Sequence, residues 1–253
     1  MVMCDVGQGD GMVLAAGEGS AVVVDTGPDP RAMDRCLDDL GVRRISLVVL
    51  THFHADHVNG LPAVLDGRTV TEIETSPLRD PPDRAAAVDA WARDAGVPVT
   101  VAEAGESRHV GDLSWTVLGP VTTPGASGDA LDGSGPNNAS VVMLLESHGH
   151  RFLLSGDAEP EEEDDILAEH ADLDVDVFKV AHHGSANQDP DFVLDTGAAL
   201  AVISVGADND YGHPAPETLA LLDRLGAITY RTDQDGTIAI VERAGQLAVV
   251  TER

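Results

Sequence analysis

The apolar run Ile45-Ser46-Leu47-Val48-Val49-Leu50 leads straight into Thr51-His52-Phe53-His54-Ala55-Asp56-His57, and no other junction in the chain constrains the fold as tightly. A short, β-branched run of this kind reads as a strand buried on both faces, as in parallel sheets. It sets three imidazoles and a carboxylate at the strand's carboxyl end, where open α/β sheets place their sites. His52 and His54 point the same way in an extended segment, whereas Asp56 and His57 fall at the start of the next helix and can face a second ion.

Three further segments repeat the arrangement. The predicted strand 151–154 ends in Ser155-Gly156-Asp157-Ala158-Glu159, and 175–180 ends in Ala181-His182-His183-Gly184-Ser185. The strand 200–205 runs into a turn containing Tyr211-Gly212-His213-Pro214. A dinuclear hydrolase needs this set: neutral imidazoles for affinity, a carboxylate between two ions, and an open position for water. Asp157 is the candidate bridge.

Around these segments the chain alternates strands and helices. Strands are expected at 1–5, 12–15 and 21–24, and a helix at 30–40 with Asp29 as N-cap, Pro30 at the first helical position and Gly41 as stop. One helix is expected at 57–65, one strand at 70–74 and a helix of small apolar residues at 83–95. Strands follow at 97–102 and 113–118. Residues 119–136, rich in Gly, Pro, Ser and Asp, read as a mobile binding loop. A hairpin of 141–145 and 151–154 comes next, then an acidic helix at 160–170 and helices at 190–196 and 216–225. Strands 227–231, 237–241 and 247–250 close the chain, with Asp235-Gly236 as a hairpin turn. Two such rounds suggest two similar halves whose sheets pack face to face with helices outside.

A chain of 253 residues forms one domain of this kind without a linker. No run of eighteen apolar residues is present, so no direct membrane insertion is expected and the segment should be soluble in isolation. Cys4 and Cys36 read most simply as two small core residues, with a disulfide left open. With 44 acidic against 15 basic residues and a net charge of −29, the chain lacks the basic footprint of a nonspecific nucleic-acid binder. The acidity can equally serve solubility.

His52-x-His54-x-Asp56-His57, with Asp25, Asp157 and His182 in that order, resembles the metallo-β-lactamase superfamily over the whole chain. More narrowly, Asp5-Val6-Gly7-Gln8-Gly9-Asp10, Asn137-Asn138-Ala139-Ser140 and the segments ending at Glu159, Ser185 and Pro214 are similar to the C-terminal domains of the ComEC family of DNA-uptake proteins. The resemblance implies an α/β, four-layer αββα fold of two mixed sheets, residues 1–253 being one domain from the C-terminal part of a larger membrane protein. It further implies a metal-dependent nuclease that degrades the non-imported strand on the extracytoplasmic side. Single-stranded DNA would be its substrate, and the membrane channel of the same parent protein its partner.

Carried over by residue, the resemblance assigns one Zn²⁺ or Mn²⁺ to His52 and His54, a second to Asp56, His57 and His182, and Asp157 to both. Asp56, Asp157 and His213 form the candidate catalytic set, with His213 contacting phosphate or serving the leaving group. Where the wider family has a further histidine ligand, this chain has Asn137-Asn138, which implies a weaker first site. Asp25 is expected to orient a ligand histidine, and His183 to support the ions or donate to phosphate. Gln8, Asp10, Asn138, Ser185 and Tyr211 are further candidate contacts. Two alternatives stay open: hydrolysis of a small phosphoester or lactone, and a non-catalytic, metal-stabilised module that binds DNA or protein.

Overall fold

The computed structural model of the chain describes residues 1–122, 134–170 and 172–253. The first sheet is built by β1 (Val2–Met3), β2 (Gly11–Ala15), β3 (Ser20–Thr26), β4 (Arg44–Leu50), β5 (Thr69–Val70), β6 (Ile73–Thr75) and β7 (Val99–Val101). Helices α1 (Pro30–Asp39), α2 (Ala55–Val58), α3 (Leu61–Leu65) and α4 (Pro82–Ala95) connect them. The second sheet takes β8 (Ser107–Val110), β9 (Leu113–Gly119), β10 (Val142–Ser147), β11 (His150–Leu154), β12 (Val177–Lys179), β13 (Leu200–Ile203) and β14 (Ile228–Arg231). Its helices are α5 (Gly135–Asn138), α6 (Pro160–Glu169), α7 (Pro190–Asp195), α8 (Pro216–Leu225) and α9 (Thr232–Asp235). The chain then returns to the first sheet as β15 (Ile238–Arg243) and β16 (Gln246–Thr251).

Strand order is β16-β15-β1-β2-β3-β4-β6-β7 in the first sheet, with β5 beside β4, and β14-β13-β12-β11-β10-β9-β8 in the second. Both sheets are mixed. β3 to β7 run parallel, as do β11 to β14, while the remaining pairs are antiparallel. Because side chains alternate along a strand, the central strands feed two cores at once. Val23, Val48 and Leu50 pack under Met33, Leu37, Leu61 and Val88 of the helices. Val22, Val24, Leu47 and Val49 face Trp115, Met143, Leu145 and Leu154 of the other sheet. A third core, with Leu153, Phe178 and Ile203, lies beneath Ile166, Phe192 and Leu222. Helix, sheet, sheet, helix is the expected four-layer α/β architecture.

Several local expectations shift. The single helix at 57–65 is two short helices, broken because Gly60 meets the end of β3: its N–H donates to the Gly27 carbonyl at 2.9 Å, and a Cβ there would collide with the Thr26 carbonyl. Asp235-Gly236 does not turn a hairpin, because β14 and β15 lie in different sheets. It closes the one-turn helix α9, and the hairpin is instead β15–β16, turned through Ala244 and Gly245 at φ 55° and 79°. Asp-Gly suits helix ends as well as hairpins. β8 lacked an apolar signal in Ser107-Arg108-His109-Val110 and was not expected. The loop expected at 119–136 falls mostly on 123–133, outside the described residues.

Cys4 and Cys36 form a disulfide that ties the segment after β1 to α1, with Cα atoms 6.0 Å apart and a sequence separation of 32. The simpler reading of two separate core residues gives way, since only the packing of α1 over β1 reveals the distance. Closing a loop of this length stabilises by about 3 to 4 kcal/mol on a chain-entropy account. Reduction should therefore lower the urea midpoint markedly; an unchanged midpoint after verified reduction would count against the bridge.

The acidic helix α6 buries two of its carboxylates, Glu162 and Glu163. Glu162 Oε1 accepts the Val121 N–H at 2.9 Å, and burial raises its pKa to about 8. Glu163 is also pushed well up by burial. A carboxyl raised in the folded state is favourable below its unfolded pKa and loses that contribution as pH climbs through the folded value. Through Glu162, stability should thus decline from about pH 5 to pH 8, by on the order of 1 kcal/mol per pH unit, and Glu163 should act in the same direction. Glu162→Gln should remove one proton's share of that slope in urea titrations across the range.

Candidate metal centre

Every candidate ligand arrives at a strand's end on one edge of the molecule. β3 ends in Asp25-Thr26, β4 in the histidine segment, β11 in Ser155 to Asp157, β12 in Lys179 and the histidine pair, and β13 in the segment reaching His213. The β1–β2 connection adds Asp10. Gly9, at φ 142°, packs so closely on Asp56 that a Cβ would overlap it, while the Asp10 N–H donates to the Asp56 carbonyl at 3.2 Å. Glycine is required there by both conformation and space.

Asp25 sits fully buried at φ 56°, a costly conformation for a non-glycine residue. Its carboxylate accepts the Thr51 N–H at 2.8 Å and the Thr51 hydroxyl at 2.7 Å, and lies 2.8 Å from His57 Nδ1. This leaves His57 Nε2 facing Asp157 Oδ2 at 3.2 Å. A carboxylate behind the distal ring nitrogen is the usual support of a metal-binding histidine.

Asp56, His57, Asp157 and His183 each offer a ligand atom within 4.8 Å of the others. His183 Nδ1 lies 3.0 Å from the Ser204 carbonyl, which directs Nε2 to Asp56 Oδ2 at 3.3 Å and Asp157 Oδ2 at 3.4 Å. That buried Nε2 has no hydrogen-bond partner. The expectation placed His182 here. The structure places His183 in this group instead, because His182 and His183 both take left-handed conformations, at φ 47° and 54°, and diverge. His182 Nε2 stays 3.9 Å from Asp157 Oδ2, and its Nδ1 is 3.3 Å from Glu159 Oε1.

His52 and His54 approach each other at 3.0 Å, with His52 Nε2 at 4.0 Å from Asp157 Oδ2. Thr51 and Ser140 hydroxyls flank His52 Nδ1 at 3.2 and 3.4 Å. Asn137 and Asn138 bond to acidic residues of the 159–161 segment. Their amide nitrogens donate to Glu159 at 2.8 Å and Glu161 at 3.3 Å, and the Asn138 oxygen accepts the Glu159 N–H at 3.0 Å. Ser185 likewise faces elsewhere: its hydroxyl accepts the Asn187 N–H at 3.2 Å and its carbonyl the Thr218 hydroxyl.

Burial, and then the charge on His57, hold His52 well below the usual imidazole range, ready as a neutral ligand. Burial acts the same way on His57 and His183 but is outweighed there: Asp157 and Asp25 raise His57, and Asp157 and Asp10 raise His183. So many buried carboxylates in one place require compensating cations, which divalent ions meet. The donor set, the orphaned His183 nitrogen and this excess of negative charge fit a metal centre.

Two residues were not anticipated. Lys179 is the sole lysine of the chain and is fully buried. Its ammonium pairs with Asp10, donates to the Gly156 carbonyl at 2.7 Å and lies 3.8 Å from Asp157 Oδ1. Burial works against its charge, but Asp10 and Asp157 outweigh it and raise its pKa. Glu159 gathers Asn137, Asn187 and His182 around one carboxylate.

A cleft of about 460 Å³ opens over the centre, lined by His54, Asp56, Asp157, His182, His183 and His213, with Gln8, Arg84 and Tyr211 at its walls. His213 is half-buried, its ring 5.5 Å from that of His182, and burial and then His182 lower its pKa to about 4.

Comparison with known proteins identifies the family. ComE operon protein 3 of Bacillus subtilis (strain 168) is 30% identical over 258 residues, an alignment covering 93% of this chain and 32% of that protein. Competence protein ComA of Neisseria gonorrhoeae is 25% identical over 240 residues, covering 89% of this chain and 31% of that one. The chain thus spans about a third of the length of these curated relatives. Among solved structures, zinc-bound PqqB from Methylobacterium extorquens shares the fold with a TM-score of 0.60 at 14% identity, over 92% of this chain and 87% of that one. The model of the Metallo-beta-lactamase superfamily matches residues 4–194. That match takes in the histidine segment, Asp157 and the histidine pair, and the chain belongs to the metallo-beta-lactamase superfamily of metal-dependent hydrolases.

Proposed function

We propose that this domain is a metal-dependent phosphodiesterase that cleaves single-stranded DNA during natural transformation, attached to the membrane channel of a longer DNA-uptake protein. The observation that carries the reading is the group Asp56, His57, Asp157 and His183 opening onto a cleft flanked by two further histidines, His182 and His213. The competence relatives supply the DNA context. Asp56, His57, Asp157 and His183 would hold one ion, and His52, His54 and Asp157 the other. Divalent ions there acidify a water and neutralise charge on phosphoryl oxygens.

The chain's own groups do the rest. Asp25, the Ser204 carbonyl and Glu159 fix the ring orientations of His57, His183 and His182. His213, which lines the cleft, is the group we assign to the phosphate and leaving oxygen. The first site has no third histidine, Asn137 and Asn138 standing where the wider family has one, so we expect weaker binding there and tolerance of Mn²⁺.

The disulfide supports the extracytoplasmic side, because such bridges persist in oxidising compartments. Among the described residues no helix is long and apolar enough to cross a membrane. The excess of 44 acidic over 15 basic residues favours a second reading, hydrolysis of a small phosphoester or lactone. End-labelled single- and double-stranded DNA, tested with Zn²⁺ and Mn²⁺ beside a chromogenic ester panel, separates the two. We expect metal-dependent cleavage of the single strand, lost in His54→Ala. Turnover of esters alone would favour the second reading, and no turnover with any metal would leave a binding module.

A further inference from the structure

The chain is poor in aromatic side chains, having two Trp, two Tyr and four Phe. All four Phe and Trp115 are buried, while Trp91 and Tyr230 are packed against the cores. Tyr211 alone among them is an exposed ring, with 74% of its surface open, and it stands at the cleft over the candidate centre. An apolar ring left in water at the mouth of a site calls for a partner more than one scattered over a surface does.

Its loop is fixed rather than loose. Asn209 Nδ2 donates to the Gly206 carbonyl at 2.8 Å and to the His213 carbonyl at 2.9 Å, and its Oδ1 accepts the His213 N–H at 3.1 Å. Gln8 Oε1 accepts the Gly206 N–H at 3.0 Å, tying the loop to the β1–β2 connection. The Tyr211 ring is thereby held 5.8 Å from that of His213, tilted by 32°. A ring anchored in this way loses little freedom on binding.

Electrostatics point the same way. Arg84 is the sole lysine or arginine among the residues lining the cleft. A duplex is gripped mainly through many cationic contacts to phosphate, which this surface does not offer. An unpaired base presents a π-face that any aromatic ring can stack on, whatever the base. From the ring's exposure, its fixed loop and its place beside His213, we infer that Tyr211 is a stacking platform for an unpaired nucleobase next to the scissile phosphate, and that it selects unstacked, single-stranded nucleic acid. This inference rests on the phosphodiesterase reading.

The test compares a thymidine oligomer with an abasic oligomer of the same length, using the metal-loaded protein and its Tyr211→Ala, Tyr211→Phe and Tyr211→Trp variants. The wild type should show a KM about tenfold lower for the base-bearing strand, the order of one base–aromatic stack. That preference should vanish in Tyr211→Ala and persist in the Phe and Trp variants. A preference that survives Tyr211→Ala, or a wild type without one, would overturn the stacking role. If the wild type cleaves neither strand, the phosphodiesterase reading fails. Fluorescence anisotropy of the two labelled oligomers, read without turnover, then decides stacking independently: equal affinity in the wild type overturns it.

Discussion

Asp157→Ala is expected to lower kcat/KM by on the order of 10³-fold or more, about 4 kcal/mol of barrier, and to reduce the bound metal below the wild-type stoichiometry. The reason is positional. Asp157 Oδ2 lies 3.2 Å from His57 Nε2, 3.4 Å from His183 Nε2, 3.9 Å from His182 Nε2 and 4.0 Å from His52 Nε2. One oxygen therefore lies within 4.0 Å of a nitrogen of each of these four histidines, and in the proposed two-ion arrangement its loss would disconnect the two sites. Asp157→Asn, which keeps the shape while removing the charge, should retain the fold and lose metal in the same direction. Metal counting by mass spectrometry beside the rate measurement checks this. A variant that keeps both ions and its rate would remove Asp157 from the bridging position.

Lys179→Met should destabilise the protein by about 3 to 5 kcal/mol, because it takes from the buried Asp10 its principal counterion and leaves it the longer contact to His183 Nδ1 at 3.4 Å. Neither Asp10 carboxylate oxygen has a conventional hydrogen-bond partner, so the ammonium is its principal compensation. The Lys179→Met/Asp10→Asn double variant should recover much of the loss, since removing both charges leaves neither uncompensated. Urea unfolding of the wild type, both single variants and the double variant, with and without divalent metal, gives the coupling directly. Additive losses would mean that the pair does not act as one unit.

How much of this was legible in the chain depended on whether a feature was local. The strand-end placement of His52, His54, Asp56, His57 and Asp157 follows from short apolar runs and needs no tertiary knowledge. So does the helix start at Asp29 and Pro30, where the structure has the side chain accepting the Arg31 N–H at 2.9 Å. The place of Asp25 at the end of an apolar strand was legible in the same way. The division of labour between His182 and His183 was not, since it depends on two consecutive left-handed residues that no pattern of residue types announces. Glu159 was hidden for a similar reason: it is one acid among many in an acidic stretch, distinguished only by the neighbours that fold toward it. The disulfide joins residues 32 apart in sequence that only the tertiary fold brings together. Lys179 was the missed opportunity, because one lysine against fourteen arginines, set between Phe178 and Val180, is visible in the sequence itself.

That solitary lysine has a practical side. With its ammonium enclosed between Asp10, Asp157 and the Gly156 carbonyl, the folded surface offers no side-chain amine to acylating or crosslinking reagents. Modification at residue 179 can report only on molecules that have opened, so a single labelling position serves as an intrinsic clock for exposure of the centre.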